Sequence, residues 1–334
     1  MNKITKIGIT SGDLNGVGFQ ILIQSFNEVF KKNKNIQIIL FASSSSWKFY
    51  LDFLEIDNIT FNVIDNVSHA INETINIIEC ISSDLVVNPG EITYHSGLAA
   101  SQSLTMASSY LISNKIDALV TMPVNKSNMF FKNGEKFIGH TEYLRDKSKV
   151  KETLMILMTE KLKIATVTNH IPVSLISHVL NKQVLNSKIE ILLNSLQMDF
   201  MIQSPKIAVL GLNPHMGDGG LIGQEEIEII EPVIRNFSNK NFNVSGPFSS
   251  DAFFGKSLFK NYDAVLSMYH DQGLIPFKMN SFNKGVNYTA GMPFIRTSPD
   301  HGPAHDIVGT KSVNCESFIN AIFWADKIYK SRLL

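Results

Sequence analysis

Short apolar runs alternate along this chain with longer stretches of helical period. Ile7-Gly8-Ile9-Thr10 is followed by a helical pattern from Gly18 to Lys31 and then by Ile36-Gln37-Ile38-Ile39-Leu40-Phe41. The spacing predicts strand, helix, strand. A helix rich in Ala, Ser and Leu, from Leu98 to Ser113, leads into a strand over 117–121. The second half repeats the rhythm. Strands are predicted over 154–158, 164–168, 207–210 and 264–266, with helices over 183–197, 224–237 and 316–334. Near-continuous apolar strands joined by helices belong to a largely parallel sheet covered on both faces, so doubly wound α/β is the expected class. Glu225 and Glu226, at the start of the 224–237 helix, are expected to complement its dipole.

The polar positions that interrupt this pattern fall at strand exits. The strand ending Ala264-Val265-Leu266 breaks into Tyr269-His270-Asp271-Gln272-Gly273, with Lys278 soon after. Two other predicted strands end the same way, one at Asn169-His170 and one at Asn213-Pro214-His215. Neighbouring parallel strands bring their carboxyl ends together, where α/β proteins bind ligands. Three imidazoles with an open fourth position form a ligand set for a catalytic divalent metal. They favour Zn²⁺, Co²⁺ or a similar ion over Mg²⁺, which prefers oxygen ligands. Asp251, Asp271 and Asp300 are candidates to orient the histidines or relay a proton. The alternative is a set of hydrogen-bonded structural histidines in solvated loops.

Further segments carry candidate chemistry. Gly12-Asp13, with Gly16 and Gly18, follows the first strand and opens the first helix, a turn able to face an anion or simply to connect strand and helix. Its glycines do not fit the dinucleotide fingerprint G-x-G-x-x-G. Gly255-Lys256-Ser257 is not a P-loop, because the upstream glycine is replaced by Ser250. Gly139-His140-Thr141-Glu142 reads as a helix start, either an anion receptor or a cap alone. In the stretch 293–306, Arg296 offers a guanidinium to an anionic substrate, followed by Asp300, His301 and Gly302.

Composition narrows the field. The 334 residues suffice for two domains, and 44% hydrophobic content with zero formal net charge describes a compact globular protein. No basic excess points to nucleic acid. Cys80 and Cys315 form no CxxC pair, which disfavours a thiolate metal site or disulfide framework and fits a reducing cytoplasm. The first residues reach Asp13 too soon for a signal peptide core or a membrane span, so no membrane association is expected. Low-complexity tracts and solenoid repeats are absent from the sequence.

Taken together and in order, these motifs resemble the 4-hydroxythreonine-4-phosphate dehydrogenase family of vitamin B6 biosynthesis. The matching pieces are Gly12-Asp13 with Gly16 and Gly18, Met122-Pro123-Val124-Asn125-Lys126, Gly139 to Glu142, His170, Leu212 to His215, Tyr269 to Gly273, and Pro293 to Gly302. The resemblance implies two α/β domains like those of isocitrate and isopropylmalate dehydrogenases, an active site in the cleft, and a homodimer. It implies NAD-dependent, metal-dependent oxidation of 4-phosphooxy-L-threonine, followed by decarboxylation, with NADP as the other possible cofactor. By the same resemblance His170, His215 and His270 hold the metal at a site completed across the dimer interface, and His140, Thr141, Lys278, Asn287 and Arg296 contact substrate. Asp271, Asp251 and Lys278 are the catalytic candidates, and Gly12, Asp13, Asp300, His301 and Gly302 the cofactor-binding ones. The expected domains are 1–125 with 300–334, and 126–299. The first motif departs from the commoner family pattern at Leu14, Asn15, Phe19 and Gln20, which puts the details of that turn in question. A relative acting on another phosphorylated hydroxy acid, a phosphate acyltransferase and a non-enzymatic binding protein are the competing readings.

Overall fold

The computed structural model describes residues 4–82, 84–131 and 137–334. In chain order the elements are β1 (Thr5–Thr10), α1 (Gly18–Lys32), β2 (Ile36–Ala42), α2 (Ser44–Phe53), β3 (Phe61–Val63), β4 (Ile75–Glu79), α3 (Tyr94–Ile112), β5 (Ala118–Val120) and α4 (His140–Ser148). There follow β6 (Leu154–Met158), β7 (Lys163–Thr166), α5 (Ile176–Val179), α6 (Lys182–Met198), β8 (Lys206–Leu210), α7 (Glu231–Asn239), β9 (Asn243–Phe248), α8 (Ser250–Gly255), β10 (Ala264–Ser267), α9 (His270–Ser281) and β11 (Val286–Ala290). The chain closes with β12 (Ile295–Pro299) and α10 (Glu316–Arg332). Two compact units result: Met1–Lys149 with Met292–Leu333, and Val150–Gly291.

In the first unit the strand order is β3-β4-β2-β1-β5-β12, and every pairing is parallel. Ile7 lies beside Ile38 on one side and Ala118 on the other, and all three are buried. Such strands are covered on both faces, which is why they read as apolar runs instead of alternating ones. Ala107 and Leu111 of α3 join Ile39, Phe41 and Leu119 in one core cluster, and Leu144 of α4 completes it. Helix α10 packs on β12, β5 and β1.

The second unit orders its strands β11-β6-β7-β10-β8-β9. The run β7-β10-β8-β9 is parallel, whereas β6 pairs antiparallel with both β11 and β7. The sheets are thus mostly parallel and flanked by helices, with a β6–β7 hairpin closed by the Thr159 N–H on the Leu162 carbonyl. Leu157, Ile164, Leu210 and Val265 form the core on one side with Phe253 and Phe277.

Three details differ from the sequence reading. The polar segment after β10, to which the sequence reading gives no regular element, is helix α9, which continues through Pro276. The helix foreseen over 224–237 begins as a π-helical turn, Glu226–Ile230, before α7. The units divide near 149/150 and 291/292, not near 125/126 and 299/300. The physical reason is that Leu144 of α4 is fully buried in the first unit's core and β12 pairs with β5 there. No helix among the described residues is long and apolar enough to cross a membrane.

Candidate active site

In the second unit the three histidines foreseen at strand exits do follow three adjacent parallel strands, β7, β10 and β8. The pairing of β7 with β10 persists beyond the ladder: Val167 N–H donates to the Ser267 carbonyl at 2.8 Å and Thr168 Oγ1 to the Met268 carbonyl at 2.8 Å. The chains are therefore still side by side when they reach His170 and His270, whose ring centroids lie 5.9 Å apart. Nδ1 of His270 is 2.6 Å from Asp271 Oδ1. A carboxylate on one ring nitrogen fixes the tautomer and leaves the other nitrogen as a lone-pair donor, the arrangement that metal-ligating histidines use.

His215 is presented differently. From His215 through Gly219 every residue is left-handed, with φ of 52°, 57°, 77°, 47° and 64°, and Gly220 follows at 93°. His215, Met216 and Asp218 each carry a Cβ that disfavours this hand by roughly 1 to 2 kcal/mol. Such a run persists only where its surroundings impose it. Asp251, at the start of α8, lies close enough to His215 to feel its charge. The Ser249 hydroxyl, 2.5 Å from Oδ1, is the main influence holding this carboxyl below its ordinary value, with His215 adding to it. The donor chemistry fits a divalent metal, with two imidazoles already together and one of them carboxylate-oriented. Among the described residues, however, no three His, Cys, Asp or Glu side chains gather into a metal-holding group, so His215 is not brought to the His170–His270 pair. Of the remaining candidates in this unit, Lys278 stands exposed on α9, and Asn287 on β11 has an Oδ1 shut off from solvent without a hydrogen-bond partner.

In the first unit, α4 starts at His140 after Gly139, with Glu142 in its first turn. His140 Nε2 is secluded from solvent and has no hydrogen-bond partner. Burial, then the nearby charges of Arg296 and Lys126, hold this imidazole well below its ordinary pKa. It is therefore neutral at physiological pH. Arg296, buried on β12, donates from Nε and Nη2 to Thr121 Oγ1 at 3.0 and 2.7 Å. Burial pushes its guanidinium down to about 10, partly offset by Glu142, which still leaves it charged at neutral pH. Thr141 sits half-buried in the same first turn. A buried cation, a neutral imidazole and a helix N-terminus are groups suited to receiving a carboxylate or phosphate.

The cofactor candidates of this unit gather in one loop cluster. Gly12 adopts φ 65°, and a Cβ there would stand 2.5 Å from the Pro123 carbonyl. Asp13 N–H donates to that carbonyl, and Val17 N–H to the Pro303 carbonyl, so the loops after β1, β5 and β12 are pinned together. Asp300 N–H donates to Ser317 Oγ, His301 Nδ1 lies 3.0 Å from the Gly302 carbonyl, and Gly302 has open space where a side chain would be. Asp13 is buried, and its Oδ2 is 3.3 Å from His305 Nε2 without hydrogen-bond alignment.

Several residues with evident roles escape the sequence reading. Gln272 accepts from Met268 N–H at 2.6 Å and donates to the Gly211 carbonyl at 2.6 Å and Ser250 Oγ at 2.8 Å. Only its place in the His270-Asp271-Gln272 run could have drawn notice. Glu226, foreseen as a dipole complement, is instead buried and bound to the backbone ahead of His215. Thr121 adjoins a quoted motif and Lys126 closes the same one, but neither is singled out by the sequence.

Comparison with known proteins places this α/β chain among enzymes of the dehydrogenase class. The family model for pyridoxal phosphate biosynthetic protein PdxA matches residues 34–325. A 4-hydroxythreonine-4-phosphate dehydrogenase of Bacteroides thetaiotaomicron is 37% identical over 334 residues, covering 99% of this chain and 90% of the relative. A crystal structure of the Klebsiella pneumoniae 4-hydroxythreonine-4-phosphate dehydrogenase superposes with a TM-score of 0.84 at 33% identity, covering 98% and 99% of the two chains. Isocitrate dehydrogenase of Methylococcus capsulatus shares the fold alone, with a TM-score of 0.51 at 10% identity over 97% of this chain and 87% of that one. The chain belongs to the PdxA family of pyridoxal phosphate biosynthetic proteins.

Proposed function

We propose that this chain oxidises 4-phosphooxy-L-threonine at its 3-hydroxyl, with NAD or NADP as acceptor, in pyridoxal 5'-phosphate biosynthesis. The β-keto acid so formed loses carbon dioxide to give 3-amino-2-oxopropyl phosphate. The carrying observation is the 5.9 Å pairing of His170 with His270 at adjacent strand exits, in a chain whose relatives are named for this activity. A divalent ion such as Zn²⁺, Co²⁺ or Mg²⁺, held by His170, His215 and His270 at a site completed across the dimer interface, would supply Lewis-acid polarisation of the substrate hydroxyl, and NAD would supply the hydride acceptor.

The chain's own groups do the rest. Arg296 and the first turn of α4 bind substrate anion, and the neutral His140 adds a hydrogen bond without repelling the guanidinium. Thr141 contributes a hydroxyl, Lys278 a second cation, and Asn287 its unpaired amide oxygen. Asp271 holds His270 in one tautomer. Asp251, at the start of α8, is the candidate acceptor for the hydroxyl proton. Gly12, Asp13, Asp300, His301 and Gly302 are the proposed cofactor contacts.

The reading includes a homodimer. On α9, the helix that begins with His270, Ile275 and Met279 recur at i and i+4 and are 59% and 82% exposed, and Phe282, which caps the helix, is 73% exposed. An apolar stripe of that kind suits burial against a second copy, which would also bring a further histidine to the His170–His270 pair. The cytoplasm is the proposed compartment. The test is NADH formation across a panel of phosphorylated hydroxy acids, with NAD and NADP, before and after chelation. Turnover of 4-phosphooxy-L-threonine that chelation abolishes is the expected result. Preference for another phosphorylated hydroxy acid, or full activity after chelation, overturns the assignment.

A further inference from the structure

The left-handed run that carries His215 is built around one buried carboxylate. Glu226 Oε1 accepts from the backbone N–H of Leu212 and of Asn213, both at 2.7 Å, and Oε2 accepts from Asn213 Nδ2 at 2.9 Å. These are the two residues immediately before Pro214-His215, and the proline brings no N–H of its own. On the other flank, a Cβ at Gly217 would stand 2.9 Å from Oε2 of the same carboxylate, and one at Gly211 would stand 3.1 Å from Oε1. The backbone therefore closes over Glu226 from both sides of His215. Glu225 takes the same Asn213 amide at 2.7 Å from its own Oε2.

The helix that supplies Glu226 is adapted to the same task. It opens with the π-helical turn Glu226–Ile230, a wider turn that recurs at functional sites. Glu226 is buried while its neighbour Ile227 is exposed, so the turn directs the carboxylate inward beneath the loop. The imidazole it frames is itself exposed, and is oriented by its backbone instead of by packing.

We propose that Glu226 is the positioning residue for His215: it fixes the left-handed turn in the one conformation that presents the imidazole to a metal. This rests on the reading of His215 as a metal ligand. Carboxylates that orient ligands from behind typically set metal affinity by 10- to 100-fold.

The test is Co²⁺ titration of the metal-free protein, followed by calorimetry and the visible Co²⁺ spectrum, in Glu226→Gln, Glu226→Ala, His215→Ala and the double variant His215→Ala/Glu226→Gln. Glu226→Gln keeps the volume but turns a donor toward donors. It is expected to weaken Co²⁺ binding on the order of 10-fold and to alter the spectrum, with Glu226→Ala weakening it further. In the His215→Ala background, the Gln substitution should change the residual affinity no more. Unaltered affinity in Glu226→Gln, with binding weakened in His215→Ala, overturns the positioning role and leaves the metal reading intact. Unaltered affinity in His215→Ala removes the metal reading and this proposal with it. An equal loss from Glu226→Gln with and without His215, or failure of Glu226→Gln to fold, makes Glu226 a structural residue and overturns the proposal as well.

Discussion

Gln272 donates from Nε2 to the Gly211 carbonyl at 2.6 Å, so the first turn of the His270 helix is tied to the exit of the strand that leads to His215. The same amide holds Met268 N–H and Ser250 Oγ. Gln272→Ala leaves a backbone donor and acceptor unsatisfied, at a cost of about 1 to 3 kcal/mol. Urea denaturation should show that loss together with weaker Co²⁺ binding. A variant as stable as the parent, with unchanged affinity, would refute the staple.

Asp271→Asn separates orientation from stability. The Asp271 side chain is 72% exposed, so unfolding midpoints should hardly move. Its contact with His270 Nδ1 is lost as a charge-assisted bond, and metal affinity should fall on the order of 10-fold or more. Equal affinities in a Co²⁺ titration would remove Asp271 from the site.

His140 links the anion receptor to pH. Its folded pKa lies well below the ordinary 6.5, so below pH 6.5 the unfolded chain binds a proton that the folded chain refuses. Its contribution to stability is complete above that pH and falls as pH drops toward the depressed folded value. In His140→Gln this part of the slope should vanish, as urea denaturation at several pH values will reveal; an unchanged slope means that the imidazole titrates normally.

Arg296→Lys replaces a planar fork with a point charge. The two hydrogen bonds to Thr121 cannot both be kept. KM for the phosphorylated substrate should rise on the order of 10-fold or more while the protein still folds. Steady-state kinetics that leave KM untouched would take Arg296 out of the anion receptor.

Ile275→Glu with Met279→Glu places charge in the exposed stripe of α9. Sedimentation should show a dimer for the parent and a monomer for the variant, with activity lost although His270 is intact. A variant that stays dimeric assigns the subunit contact to another face.

Much of this architecture is legible in the sequence. The strands are legible because burial on both faces leaves unbroken apolar runs, as in Ile38 to Phe41 and Leu154 to Met158, and their polar exits mark His170, His215 and His270. Helix α9 was hidden by Gly273 and Pro276, residues that ordinarily end helices. Glu226 was hidden by a general rule, since an acidic residue early in a helix has a ready explanation in the dipole. Its true partners, the N–H groups of Leu212 and Asn213, are set by how the turn folds back, which no local pattern encodes. The return of β12 to the first unit is equally silent, because parallel pairing depends on neighbours far away in sequence.

Thr5, on the first strand, donates to Asp326 of α10 across 321 positions, and the same carboxylate takes Asn33 and Lys330. The first unit is therefore assembled from both ends of the sequence, whereas the second is a single uninterrupted run. During synthesis the second unit can complete its core as soon as Gly291 has emerged, while β1 and β5 must wait, already made, for β12 and α10. The order of birth and the order of maturation are thus reversed, and the nascent first sheet keeps an open β5 edge, a template for unwanted pairing, until β12 arrives.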